Sequence, residues 1–214
     1  MPPSSVAYDA ATLSILPSGS VCRVHLFRHA EVVGAGERLC RGHTDVALSP
    51  RGEAQTAAAA ARWPGPYDAV FSSDLKRCTA LAARLGAFHA TPRLREQDMG
   101  SWDGVSWPEL TDRDPAGTTA YWADYVTATP PLGESYGQVY QRVNAWWREL
   151  APTLGEATNI AIVTHIGCIR SLLCAWTGMP AGEALRWAPG YATHSEVLLA
   201  EAGAVIVRFG EEAG

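Results

Sequence analysis

"NIAIVTHIGCIRSLLCAWTG", residues 159–178, reads as two elements in direct succession. Its first seven residues form a short apolar run rich in Val and Ile, the pattern of a strand buried on both faces. The rest is a helical pattern that Gly178 stops. His165 stands at the junction, where the carboxyl end of a strand meets the amino end of a helix. Two further runs deliver polar groups in the same way. "VCRVHLF" (21–27) predicts a strand ending in Arg28 and His29. "YDAVFSS" (67–73) predicts one ending in Ser72 and Ser73, and it runs into "DLKRCTALAARLG", with Asp74 as cap, Arg77 in the first turn and Gly86 as stop. "SPRGEAQTAAAAARW" supplies another helix, with Ser49 as N-cap, Pro50 at the first helical position and Glu53 favouring the positive helix end.

Strands alternating with helices predict an α/β fold of three αβα layers, a mostly parallel central sheet flanked by helices. "HSEVLLA" and "AVIVRFG" read as two closing strands around a turn at Gly203. Residues 98–133 break the rhythm with Gly, Pro and aromatic residues, and predict a helical, aromatic insertion folded over the sheet edge that carries the polar strand ends. Five of the eight tryptophans (102, 107, 122, 146 and 147) fall in this segment and the helical pattern that follows it. In "ESYGQVYQRVNAWWREL", Tyr136, Tyr140, Val143, Trp147 and Leu150 recur at helical spacing and predict a packing face. Residues 1–20 read as a peripheral N-terminal extension and 21–214 as one domain.

Composition narrows the possibilities. With 214 residues, 47% hydrophobic and 18% charged, the chain can build one sizeable core and is short for two. A formal net charge of -5 gives no basic footprint for nucleic acid. Cysteines 22, 40, 78, 168 and 174 form no C-x-x-C pair and lie in apolar segments, as reduced buried thiols do, which predicts a cytoplasmic protein. No stretch reaches the ~20 apolar residues of a membrane span, and residues 1–20 lack the basic and apolar regions of a signal peptide. Oligomeric state has no sequence signal.

Ligands of open α/β sheets bind outside the carboxyl ends of the strands. Arg28, His29, Arg77 and His165, with two helix N-termini, all converge on that edge and predict an anion site. His25, His89 and His194 read as structural, and Glu31 reads equally as a helix cap. The scattered histidines and cysteines lack the spacing of a metal site.

In order along the chain, "LFRHAE", "RGHTDVALSPRGEAQ", "FSSDLKRCTALA", "LREQDMGSWDG", "PPLGESYGQVYQRV" and "IVTHIGCIRSLL" resemble the histidine phosphatase superfamily, the phosphoglycerate-mutase-like fold. "RGHTD" through "GEAQ", "YWADY" and "PPLGES" resemble its α-ribazole phosphatases more than its mutases. The resemblance implies a phosphomonoesterase acting on a small phosphorylated metabolite. His29 would be the phosphorylated nucleophile, Arg28, Arg77 and His165 would hold the phosphoryl oxygens, and Glu96 would be the general acid. It implies no metal and no other cofactor. Simple chemistry agrees: a neutral imidazole can attack phosphorus, preorganised cations offset charge on three oxygens, and a poor alkoxide leaving group needs a proton.

The chain departs from the family pattern at Ala30, Val32 and Ile166, and "VVGAGERLC" lacks the Asn that often helps to hold phosphate. Arg41 and His43 are candidate replacements for these contacts. Glu31 and Trp102 are further candidate substrate contacts, Trp102 and Trp107 as stacking surfaces for a flat base. A mutase would need a longer insertion than the segment from Glu96 to Glu134. A binding module without turnover would have no need of His29, Arg77, Glu96 and His165 together.

Overall fold

The computed structural model describes residues 16, 18–155 and 157–214. Among the described residues six strands form one sheet: β1 (Val21–Arg28), β2 (Ala69–Ser73), β3 (His89–Thr91), β4 (Ala157–Thr164), β5 (His194–Ala200) and β6 (Gly203–Glu211), in the order β3-β2-β4-β1-β5-β6. The first four are parallel, and β5 and β6 join antiparallel as a hairpin. The expected mostly parallel α/β sheet is present. Edge strand β3 was not foreseen, because three residues carry too little periodicity to register.

Side-chain alternation along the strands divides the core into two layers. On one face Val24, Leu26, Ile160 and Ile162 pack against Val139, Val143 and Trp147 of α5 (Tyr136–Leu150) and Leu172 of α6 (Ile166–Thr177). On the other, Phe27, Val70, Ala161 and Val163 meet Ala59 of α1 (Pro50–Arg62) and Cys78 and Leu81 of α2 (Lys76–Leu85). Each large aliphatic side chain buried this way contributes about 1.5–3 kcal/mol. The predicted stripe of α5 is this packing face, with Tyr140 and Leu150 at its partly buried margin.

Local signals set several helix ends, and one predicted cap fails. Ser49 caps α1, its hydroxyl accepting from the Gly52 amide at 3.0 Å, and Ser135 and Gln138 form a capping box on α5. Asp74 does not cap α2. Arg95 takes its carboxylate at 2.7 and 2.6 Å, and the exposed Lys76 amide donates instead to Asp45 at 2.8 Å. A bidentate guanidinium outcompetes one backbone amide for a carboxylate, so the cap comes from a distant loop.

Of the segment read as an extension, residues 1–15 and 17 lie outside the described residues, and Leu16 is buried against the α5–α6 layer. Residues 98–133 fold as a short 3-10 turn, α3 (Trp107–Arg113) and α4 (Pro115–Ala123) around a small core of Cys40, Met99, Trp102, Leu110 and Tyr121. Trp146 and Trp147 belong to α5 and the main core. All five cysteines are free and buried, and no described helix is long and apolar enough to cross a membrane.

Candidate active site

Strand register brings the site together. Arg28 pairs with Thr164 across β1 and β4, so the next residue on each strand, His29 and His165, leaves the sheet beside the other, ring centroids 5.0 Å apart. They stand at the inner end of a cleft of about 320 Å³ that His29, Arg28, Arg77 and Glu96 line.

His29 is 6% exposed, and its Nδ1 lies 2.8 Å from the Ala30 carbonyl. A carbonyl only accepts, so Nδ1 carries the proton and the Nε2 lone pair is free. Burial first, then the Arg77 and Arg28 charges, hold the imidazole well below its usual pKa. The imidazole is therefore neutral at pH 7. The Ala30 methyl does not crowd this end; it is buried with Val32, Leu48 and Ala192.

Arg77 is aimed by three contacts: Nη1 donates to the Thr44 carbonyl at 2.8 Å, Nη2 to the Gly42 carbonyl at 2.7 Å and Nε to His165 Nδ1 at 3.3 Å. His165 is fully buried, and its Nε2 donates to Ser73 Oγ at 2.9 Å. With both nitrogens engaged, it reaches the cleft through Arg77 and is not itself at the lining surface. Burial, followed by His29 and Arg77, holds its pKa well down. Cys78 Sγ lies 3.4 Å from His165 Nε2, but this is no thiolate–imidazole pair, because burial drives the thiol pKa far up. Arg28 donates from Nη1 to the Pro189 carbonyl at 2.8 Å and stacks 4.1 Å over the Tyr191 ring.

Glu96 faces this group from the start of the insertion. Its Oε1 accepts from the Gln97 amide at 2.9 Å, and its Oε2 from the Gly167 amide, in the first turn of α6, at 3.3 Å. A Cβ on residue 167 would come 2.2 Å from Oε1. The glycine retained in His165-Ile166-Gly167 is thus the one that lets the carboxylate approach, while Ile166 lines the cleft. The Glu96 carbonyl is gripped by His43 Nε2 and Arg142 Nη2, each at 2.9 Å, and Arg142 is itself ion-paired to Glu134.

Other sequence candidates separate by placement. Arg41 lines the cleft, with Nη2 donating to the Val33 carbonyl at 3.0 Å. His43 acts on the backbone of Glu96 and does not line the cleft. Glu31 lies outside it: it accepts from Ser49 Oγ at 2.8 Å and pairs with Arg51, which fixes the start of α1, the capping alternative. Trp102 is 5% exposed and packs edge-on against Tyr121 and Trp107; large rings at this spacing bury more area in the insertion's own core than at a wet wall. The rings that line the cleft are Trp107, Tyr121, Trp122, Tyr125, Tyr136 and Tyr191. Arg170 also lines it and was missed, although its position one helical turn beyond Ile166 signalled a shared face. Tyr191, in a loop, had no such signal. Among the described residues, no group of three or more His, Cys, Asp or Glu is placed to hold a metal ion.

The buried histidines give stability a pH dependence. His29 and His165 are held well below 6.5, and His194 is lowered to about 3, burial being the largest cause each time. The unfolded chain takes up these protons first on acidification. Their stabilisation is complete above about pH 6.5 and is lost as pH falls toward the folded values. From pH 7 to 5, each histidine that stays neutral in the fold costs about 2 kcal/mol of stability. Urea unfolding should show a lower midpoint at pH 5 than at pH 7, and an equal or higher midpoint would contradict the burial assigned to them.

Fold and site together define a phosphoryl-transfer protein built around a histidine, and comparison with known proteins agrees. The model of the histidine phosphatase superfamily (branch 1) matches residues 24–212, and the chain belongs to that superfamily, whose members include phosphatases and phosphoglycerate mutases. A bifunctional protein of Mycobacterium tuberculosis is 33% identical over 72% of this chain, a match that spans 44% of that protein's length. The glucosyl-3-phosphoglycerate phosphatase of Mycobacterium tuberculosis is 31% identical over 75% of this chain and 78% of its own. Among solved structures, the α-ribazole phosphatase of Shigella flexneri superposes with a TM-score of 0.82 at 26% identity, covering 88% of this chain and 96% of that one.

Proposed function

We propose that the protein hydrolyses a small phosphorylated metabolite in the cytoplasm through a phosphohistidine on His29, without a metal. The observation that carries this reading is the free Nε2 of His29, fixed by the Ala30 carbonyl and set among Arg28, Arg77 and Glu96. In the first step Nε2 attacks phosphorus, the bond from phosphorus to the alcohol oxygen breaks, and Glu96 gives that oxygen its proton. In the second, Glu96 takes a proton from water as it attacks phosphorus, and the P–N bond breaks to release phosphate. Preorganised guanidinium groups carry the negative charge of both transition states.

Two substrates stand out. α-Ribazole 5'-phosphate, an intermediate of cobalamin assembly, is supported by the α-ribazole phosphatase likeness and by the aromatic wall, which suits a flat base. A phosphorylated sugar acid is supported by the likeness to glucosyl-3-phosphoglycerate phosphatase and by the arginines of the cleft. Neither reading involves nucleic acid or a membrane. A panel of phosphorylated nucleosides, sugars and acids, assayed with and without excess chelator, tests both. Chelator-resistant release of phosphate is expected, with kcat/KM on one class at least about tenfold above simple sugar phosphates. Activity that disappears with chelator and returns with zinc or magnesium would replace the mechanism.

A further inference from the structure

The Glu96 carboxylate accepts from the amides of its neighbour Gln97 and of Gly167, so its distance from His29 depends on where the backbone at residue 96 runs. Residues 96–99 belong to no helix or strand, and no ladder places them. Side chains do so instead, one carbonyl at a time. The Arg93 carbonyl accepts from Arg142 Nη1 at 2.8 Å, the Leu94 carbonyl from Thr164 Oγ1 at 2.7 Å and the Arg95 carbonyl from Cys168 Sγ at 3.0 Å. The Glu96 carbonyl accepts from two donors, His43 Nε2 and Arg142 Nη2. These donors stand on α5, β4, α6 and the loop before α1, so the whole domain converges on the short arm that carries Glu96.

Arg142 ties these contacts together. Its Nε and Nη2 hold the Glu134 carboxylate at 3.2 and 2.6 Å, and Glu134 Oε1 accepts from the Asp98 amide at 2.9 Å. The pair therefore grips the chain at residues 93, 96 and 98, on both sides of the carboxylate. Gln97 joins the same clasp, its Nε2 donating to the Glu134 carbonyl at 2.7 Å. A planar guanidinium can serve one carboxylate bidentately and two carbonyls at once, which an ammonium cannot reproduce. Through Val139, Val143 and Trp147, α5 is seated in the main core, so the clasp is referred to a rigid element. His43 closes it from the opposite loop. Asp103 accepts from the Gly42 and Thr44 amides at 3.0 and 2.7 Å, which keeps that loop, and the two carbonyls that aim Arg77, in place without the His43 ring.

We propose that His43, Arg142 and Glu134 are positioning residues for the proton donor: none of them lines the cleft, and together they set the place of the Glu96 carboxylate. This rests on the phosphomonoesterase reading. The test compares the most rapidly cleaved alkyl phosphate of the panel with the nitrophenolate burst from p-nitrophenyl phosphate, in His43→Ala, Arg142→Lys and Glu134→Gln. A catalytic group displaced by about 1 Å loses on the order of 10²-fold. Arg142→Lys and Glu134→Gln should therefore slow alkyl cleavage about 10- to 100-fold, and His43→Ala, with Arg142 still on the carbonyl, about tenfold. The burst should fall by about threefold or less, because nitrophenolate leaves with little protonic help. Inhibition by inorganic phosphate should stay within about twofold of wild type, since the contacts that aim Arg28 and Arg77 are kept. In a Glu96→Ala background each substitution should add less than about twofold on the alkyl ester, the donor it places being gone already. Unchanged rates, a common factor on both substrates, or losses that multiply with that of Glu96→Ala overturn the assignment. Should the buried pair not tolerate substitution, His43→Ala, in a partly exposed loop, decides by the same criteria. A wild type that cleaves no alkyl ester fails the phosphatase reading first, before any variant is compared.

Discussion

His29→Ala should lower turnover by at least about 10⁴-fold, because a phosphoenzyme cannot form without its nucleophile and the arginines alone only bind the anion. Phosphate affinity should survive, since Arg28 and Arg77 are aimed by the Pro189, Thr44 and Gly42 carbonyls and by His165, none of which depends on the His29 ring. Loss of turnover with retained phosphate binding separates chemistry from a collapsed site. The covalent intermediate gives a second readout. In wild type quenched during turnover of labelled substrate, the label should stay on the protein in base and leave it in acid, as a phosphoramidate requires. Label that survives acid would place the phosphoryl group on serine, and label lost in both acid and base would place it on a carboxylate.

Glu96→Ala should reveal its role through the leaving group. Alkyl phosphates release strongly basic alkoxides, so loss of the proton donor should slow their cleavage by about 10²–10⁴-fold. p-Nitrophenyl phosphate leaves with little protonic help, and its first chemical step should be damaged far less. In the proposed second step the same carboxylate activates water, so a burst of nitrophenolate followed by slow turnover is expected. The competing account makes Glu96 structural, a strut between the Gln97 and Gly167 amides. A strut would slow alkyl and aryl substrates by one common factor, and pre-steady-state rates on the two classes distinguish the accounts. The packing argues for the proton donor: Gly167, His43 and Arg142 all serve to place this carboxylate at the mouth of the histidine end.

Much of this was legible in the chain because it is encoded locally. Apolar runs of strand length, Ser49 and Ser135 before helices and Gly86 and Gly178 after them are decided within a few residues, and they fixed the order of strands and helices. Order along the chain then placed Arg28, His29, Arg77 and His165 at one edge, since in a parallel sheet every such strand presents the same end. Asp74 shows the limit of local reading. Its cap signal was sound, but Arg95, twenty-one residues away, outbid the α2 amide.

The sequence by itself determined the fold class and the gathering of Arg28, His29 and Arg77 at one sheet edge, because these residues are written beside strand ends. Only the tertiary structure decided how those groups are used. It set His165 behind Arg77, gave His43 and Arg142 to the Glu96 backbone, kept Glu31 on the α1 cap, buried Trp102 and opened Arg170 to the cleft. The physical reason is that most of these outcomes are competitions between partners far apart in sequence, His29 with His165 or Arg142 with Glu96. The winner of each depends on strand register and on which surfaces the insertion and α6 bring together, and a pattern a few residues long carries neither.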